Sequence, residues 1–176
     1  MRQYKSLKMF IHAESTEGSN KLPGEGAEDE LDKRLVGFLR LGSDLTENYY
    51  QIEIPLKPTS YNNGSSNRFS ADQVWNPDSN SIDFSLEKLT KIKAIAMNQA
   101  DFSKPIYFNE NLDIIDEFSP ISELPGEKKY KFAIKGNPTI GSIKNIMIGV
   151  KNPSQNLGDI LSCLLYTSDA ADEVVS

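Results

Sequence analysis

The sequence of 176 residues has one histidine, one cysteine and one tryptophan. With His12 alone, no His-rich zinc site can be built. A His-based triad would need a nucleophile and an acid converging on that one ring. No block of Lys and Arg exceeds two residues, and 19 basic against 25 acidic side chains leave a formal net charge of −6. Nucleic acid and anionic membrane surfaces are therefore poor partners. No apolar run approaches the ~20 residues of a membrane helix. The opening residues MRQYKSLKMF lack the apolar core of a secretory signal, which taken by itself reads as cytoplasmic. Neither GxxxxGKS/T nor GxGxxG occurs, so Gly136-Asn137-Pro138 and Gly64-Ser65-Ser66 read as turns, not phosphate cradles.

The cysteine itself is suspect. Cys163 to Glu173 reads CLLYTSDAADE. Back-translated as TGT CTC TTA TAC ACA TCT GAC GCT GCC GAC, it matches the transposase adapter of sequencing libraries. Residues 163–176 are accordingly expected to be an adapter-derived tail, to be set aside in fold reasoning. The tail holds three acids and no base, so taking it from −6 leaves −3 for residues 1–162. On this reading the frame was cut at the end of a read, and the natural chain continues.

What remains is mostly alternation. In Arg2 to Glu14, Leu7, Met9, Ile11 and Ala13 point one way and Lys8, Phe10, His12 and Glu14 the other, as in a half-buried strand. Leu35 to Leu41 is nearly continuous in apolar residues, as a central strand is. Tyr49 to Leu56 puts Tyr50, Ile52, Ile54 and Leu56 inward and Gln51 and Glu53 outward. These two runs read as an antiparallel pair joined by Gly42 to Asn48, with Pro55 at an edge or strand end. Tyr130, Phe132 and Ile134 alternate with Lys129, Lys131 and Lys135, giving a strand with one wet side. Ile143 to Val150 sets Ile146, Ile148 and Val150 on one face. Ile82-Asp83-Phe84 and Ile106-Tyr107-Phe108 are brief strands. One helix is expected over 86–97, where Leu86, Leu89, Ile92 or Lys93, and Ala96 recur at helical spacing, with Ser85 as N-cap and Glu87 favoured by the dipole.

Ser15 to Asp32 and Lys57 to Ser70 are polar loops, and Asn109 to Gly126 resists assignment. Strands joined by long polar loops, with one minor helix, predict an all-β-dominated fold: an antiparallel β-sandwich over residues 1–153, with 154–162 starting a linker. The first and last strands, 4–14 and 143–151, are expected near each other. That layout resembles jelly-roll, galactose-binding-like domains.

Few residues suggest chemistry. His12 reads as structural or surface. Glu47 and Glu53 illustrate carboxylates that a glycosidase would need at a set separation, but nothing in the spacing selects a pair. Asp72, Asp78 and Asp83 lack the Asp-x-Asp-x-Asp-Gly calcium pattern. Trp75, Tyr49, Tyr50 and Tyr61 are the aromatics available to stack on a sugar or peptide, although such aromatics more often pack a sheet. The expectation is no enzyme, no catalytic or cofactor-binding residue, no metal and no cofactor. A glycan is the one small-molecule partner left open, as a carbohydrate-binding module of a cell-surface protein.

The strand sequences carry more than periodicity. RQYKSLKMFIHAE, LVGFLRLGSDLTENYYQIEIPL, VW with IDFSLEKLTKIK, and KYKFAIKGNPTIGSIKNIMIGVKNP occur in order from Arg2 to Pro153. Together they resemble a segment of the cell-surface SprA (Sov) family. The residues least dictated by fold are among them: His12-Ala13-Glu14, Leu41-Gly42-Ser43-Asp44, Glu47-Asn48-Tyr49-Tyr50 and Lys135-Gly136-Asn137-Pro138. The family comprises very large outer-membrane proteins of Bacteroidota that form the translocon of type IX secretion and serve gliding motility. The resemblance implies an internal fragment of such a chain, a soluble insertion without catalytic residues, at the cell surface or outer membrane. Its implied partners are other domains of the same large chain and type IX secretion components.

Overall fold

The computed structural model describes residues 5–15, 36–56, 80–99, 101–119, 121, 130–151 and 163–167. Among these, strands dominate. They are β1 (Ser6–Ser15), β2 (Val36–Gly42), β3 (Tyr49–Pro55), β4 (Ser81–Ser85), β5 (Ile106–Phe108), β6 (Ile114–Ile115), β7 (Lys131–Lys135), β8 (Asn145–Lys151) and β9 (Cys163–Thr167). One helix, α1 (Glu87–Ala96), interrupts them.

Every pairing is antiparallel. A three-stranded sheet runs β4-β1-β9 and a six-stranded sheet runs β6-β5-β7-β3-β2-β8. The two pack as a sandwich, because each has one apolar face to hide. β1 contributes Met9, Ile11 and Ala13 to the shared core, and β4 contributes Ile82 and Phe84. The larger sheet answers with Leu39, Leu41, Tyr50, Ile52, Ile54, Phe108, Phe132 and Ile134. The inward faces expected for the β1, β3 and β7 runs are thus the buried ones. β2 and β3 pair as expected across the 42–48 loop, and Pro55 falls at the end of β3, where its missing donor costs no ladder bond.

Two contacts tie the sheets at the β4 end. Phe84 meets Phe132 edge-on at 5.9 Å. The backbone N–H of Asp83 donates to the Tyr130 hydroxyl at 2.8 Å. Beside them, Leu89, Ile92 and Ala96 bury one stripe of α1. Ser85 is not the N-cap, a position Leu86 takes in helical conformation. Its hydroxyl still accepts the Glu87 N–H at 3.3 Å, so one end donor is met from one residue further out.

The first strand and the 143–151 strand lie in different sheets: β8 pairs with β2, and β1 pairs with β4 and β9. The cause is register: Ile146 and Ile148 stand opposite Leu41 and Leu39, extending the β2 face by one strand. One expectation fails: the outward side of the β3 and β7 runs is not wet. Gln51, Glu53 and Lys131 are buried along with the core. Residues 163–167, within the stretch read as adapter-derived, are strand β9 along Ile11–Ser15 of β1. The expected loop at 57–70, nearly all of that at 15–32, and residues 168–176 of the tail lie outside the described residues.

Candidate functional site

Three buried polar residues, Gln51, Glu53 and Lys131, collect on the outer face of the six-stranded sheet. Antiparallel register decides which they are, since residues directly opposite share a face. Arg40 stands opposite Gln51 and Met147, Glu53 opposite Phe38 and Lys131, and Tyr107 opposite Ala133. Their side chains connect across strands. Arg40 Nε donates to Gln51 Oε1 at 2.8 Å, and Gln51 Nε2 donates to Glu53 Oε1 at 2.6 Å. The same oxygen accepts Lys151 Nζ at 2.7 Å.

Lys131 lies beside this line. Its ammonium donates to the backbone carbonyls of Glu117 and Ser119, which bring the 116–119 turn down over the sheet. Ile121 completes the cover by packing on Val36 with Ile115. Tyr107 sits beneath two cations, with Lys131 Nζ 5.0 Å and Lys151 Nζ 5.8 Å from its ring centre. Its hydroxyl donates to Glu117 Oε1 at 3.0 Å.

This burial has electrostatic consequences. Glu53 is 1% exposed and Lys131 2%. Desolvation pushes the Lys131 ammonium below its usual range, and Glu53 pulls the other way. Burial raises the Tyr107 hydroxyl well above an ordinary phenol, helped by its bond to Glu117. Glu53 Oε2 is buried without a hydrogen-bond partner. Such a network fixes register and geometry, because each member is costly to leave unpaired. It offers no nucleophile with a base aimed at it.

A second cluster lies at one end of the same sheet. The Asp44 carboxylate accepts the backbone N–H groups of Thr46, Glu47 and Asn48 and the Asn48 side-chain amide. These bonds, the one from the Asn48 amide foremost, hold the carboxyl far below the usual carboxylate range. Asn48 Oδ1 in turn accepts the Asn137 N–H at 3.0 Å. Gly136 has φ +64°, and a Cβ there would run into the Glu47 carbonyl. The Pro138 carbonyl receives both the Tyr50 hydroxyl at 3.1 Å and Lys93 Nζ at 2.8 Å. The 41–50 and 135–138 segments, separate in sequence, thus form one locked corner reached by the helix.

The candidate residues fare differently. His12 is buried in β1. Glu47 sits in the loop before β3 bound to Lys135 at 3.1 Å, whereas Glu53 near the strand's far end engages Lys151, so the two carboxylates do not converge. Tyr50 is buried with its hydroxyl pushed up to about 12, and Tyr49 lies buried under Arg40, whose guanidinium is 3.9 Å from its ring centre. Neither has a free face for a sugar. Asp83 lies beside Lys8, 3.9 Å away. Trp75, Tyr61, Asp72, Asp78 and Gly64-Ser65-Ser66 lie outside the described residues. Within the described residues, no three of His, Cys, Asp and Glu group so as to hold a metal. No helix there is long and apolar enough to cross a membrane.

Arg40, Tyr107, Glu117 and Lys151 were not singled out from the sequence. The available signal was Arg40 itself, one cation inside an otherwise apolar central strand. Such a residue needs a cross-strand acceptor, and Gln51 and Glu53 were the polar residues of the neighbouring strand.

No curated protein matches the chain. A family model does, over residues 1–168, and it spans both the locked corner and the buried network. By that match the chain belongs to the SprA_N family of motility related/secretion proteins.

Proposed function

We propose that this chain is a piece of the outer-membrane translocon of type IX protein secretion, and that the sandwich is a non-catalytic protein-contact domain of that pore, linked to gliding motility. The observation that carries the reading is the family match over residues 1–168. The geometry supports a contact role. Polar and charged groups on the large sheet's outer face bond across strands and brace the 116–119 turn, and two of the four aromatics considered for sugar stacking are buried. A domain of this kind presents a rigid surface to neighbouring parts of a large assembly in the cell envelope.

The test is genetic. The codons for residues 5–151 are removed in frame from the gene in its source organism. The abundance of the truncated protein in the envelope is measured, followed by export of secreted proteins and colony spreading. Loss of export and spreading at unchanged abundance supports the reading. Normal export by a stably accumulated truncated protein refutes it. Sequencing genomic DNA outward from the Ser162 codon supplies the second arm: a long continuing frame in place of the CLLYTSDAADE codons is expected. A stop after Ser176 in genomic DNA would remove the pore from consideration.

A further inference from the structure

Glu53 is 1% exposed and is bonded through only one of its carboxylate oxygens. Oε1 accepts Gln51 Nε2 at 2.6 Å and Lys151 Nζ at 2.7 Å. Oε2 is buried and meets no donor among the described residues. A carboxylate oxygen can only accept, and burying it unmet is costly.

The donors of the network are committed elsewhere. Arg40 is bonded to Gln51 Oε1 and to the Leu45 carbonyl. The Tyr107 hydroxyl is bonded to Glu117. Lys131 stands directly opposite Glu53 in the register of β3 with β7, and it is 2% exposed. These two facing charges do not close on each other. Glu53 takes its ion pair from Lys151, whereas the Lys131 ammonium turns to the carbonyls of Glu117 and Ser119. An ammonium carries three N–H donors, so one donor of Lys131 remains to be met. A buried acceptor and a buried donor thus face each other across one strand pair.

What joins them must donate to Glu53 Oε2 and accept from Lys131. A cation is repelled by the two ammonium groups of Lys131 and Lys151, and an anion by the Glu53 carboxylate, so the ligand is neutral. Facing Cβ atoms of an antiparallel pair are about 4.5–5.5 Å apart, which admits one small molecule between two diverging side chains. We infer that one water molecule is bound between Glu53 Oε2 and the Lys131 ammonium. It donates one O–H to Oε2 and accepts one N–H from Lys131. Buried waters serve polar groups of this kind and make two to four such bonds. The water links two strings of contacts. One runs from Arg40 through Gln51 and Glu53 to Lys151. The other is Lys131 with the 116–119 turn. The turn that covers the sheet is thereby tied to the polar line beneath it.

The experiment uses the 176-residue chain and two readouts. A crystal structure at a resolution that shows ordered water is expected to place an isolated peak within roughly 2.6–3.2 Å of both Glu53 Oε2 and Lys131 Nζ. In solution, NMR cross-relaxation between water and the ε-methylene protons of Lys131 is expected to carry the sign of the protein's own protons, because a water held by two buried groups outlasts molecular tumbling. A direct bond between Lys131 Nζ and Glu53 Oε2 would overturn the assignment. So would another side chain of the chain seated on Oε2, or cross-relaxation of the opposite sign, that of surface hydration. The NMR arm decides the matter by itself if crystals are not obtained.

Discussion

Replacing Glu53 by methionine separates a stabilising ion network from a merely decorative one. Glu53 lies between Lys131 and Lys151 in the network as the nearest acid on β3, and it is 1% exposed. Glu53→Met keeps the volume and removes the charge. Gln51 loses its acceptor at 2.6 Å, and Lys131 is left buried with a like charge nearby and no counter-charge from β3. Removing one partner of a buried pair costs about 3–5 kcal/mol. Lys151 is about one-third exposed and can turn to water, which places the expected loss near the lower figure. Urea unfolding followed by tyrosine fluorescence or circular dichroism reads it. With a slope of about 1–3 kcal/mol/M, the midpoint should fall by roughly 1–3 M.

The pH dependence of that loss carries its cause. The folded Lys131 ammonium is held below its ordinary value by desolvation, against the pull of Glu53. Without Glu53 it falls further, while the unfolded lysine stays near 10.5. Between the folded and unfolded values the unfolded state binds the extra proton, so stability rises with pH there. The deficit of Glu53→Met should therefore shrink as pH climbs from 7 toward 10. A midpoint shift below about 0.3 M, or a deficit that does not change with pH, would refute the account of Lys131 as a buried cation held by Glu53.

Other perturbations test other parts. Gly136→Ala places a Cβ against the Glu47 carbonyl at φ +64°, and should cost about 1–3 kcal/mol in the same urea titration; an unchanged midpoint would show that the corner relaxes freely. Asp44→Asn should lower the melting temperature at pH 7 and flatten its acid dependence. The wild-type carboxylate stabilises fully above the unfolded value of 3.8, and that stabilisation is lost as pH falls below it through the depressed folded value. Parallel wild-type and Asp44→Asn melting curves between pH 5 and 2 would contradict this. Phe132→Ala removes a fully buried ring from between the sheets and should destabilise by about 3–5 kcal/mol. His12→Ala is expected to lower stability while leaving export unchanged at equal protein level, and lost export at normal abundance would give His12 a functional role.

The alternation of Leu7 to Ala13, of Tyr50 to Leu56 and of Tyr130 to Ile134 determined the strands and their inward faces, because a period of two leaves a strand only one apolar face to bury. The helical spacing of Leu89, Ile92 and Ala96 did the same for α1. Strand sequences and loop residues such as Asp44, Asn48 and Gly136 carry the family resemblance, and the structure gives those loop residues a shared purpose in one corner. Sequence did not reveal that Gln51, Glu53 and Lys131 are buried. A polar residue opposite an apolar one looks wet until something is known to cover it, and the cover comes from the 116–119 turn, in a stretch whose mixed pattern fits neither period. Nor did it reveal that Ile146 and Val150 are bare. Their alternation matches a core strand, but the width of the facing sheet decides whether a core reaches them. Periodicity is a local property of the chain. Burial is set by what lies opposite, and only the tertiary structure supplies that.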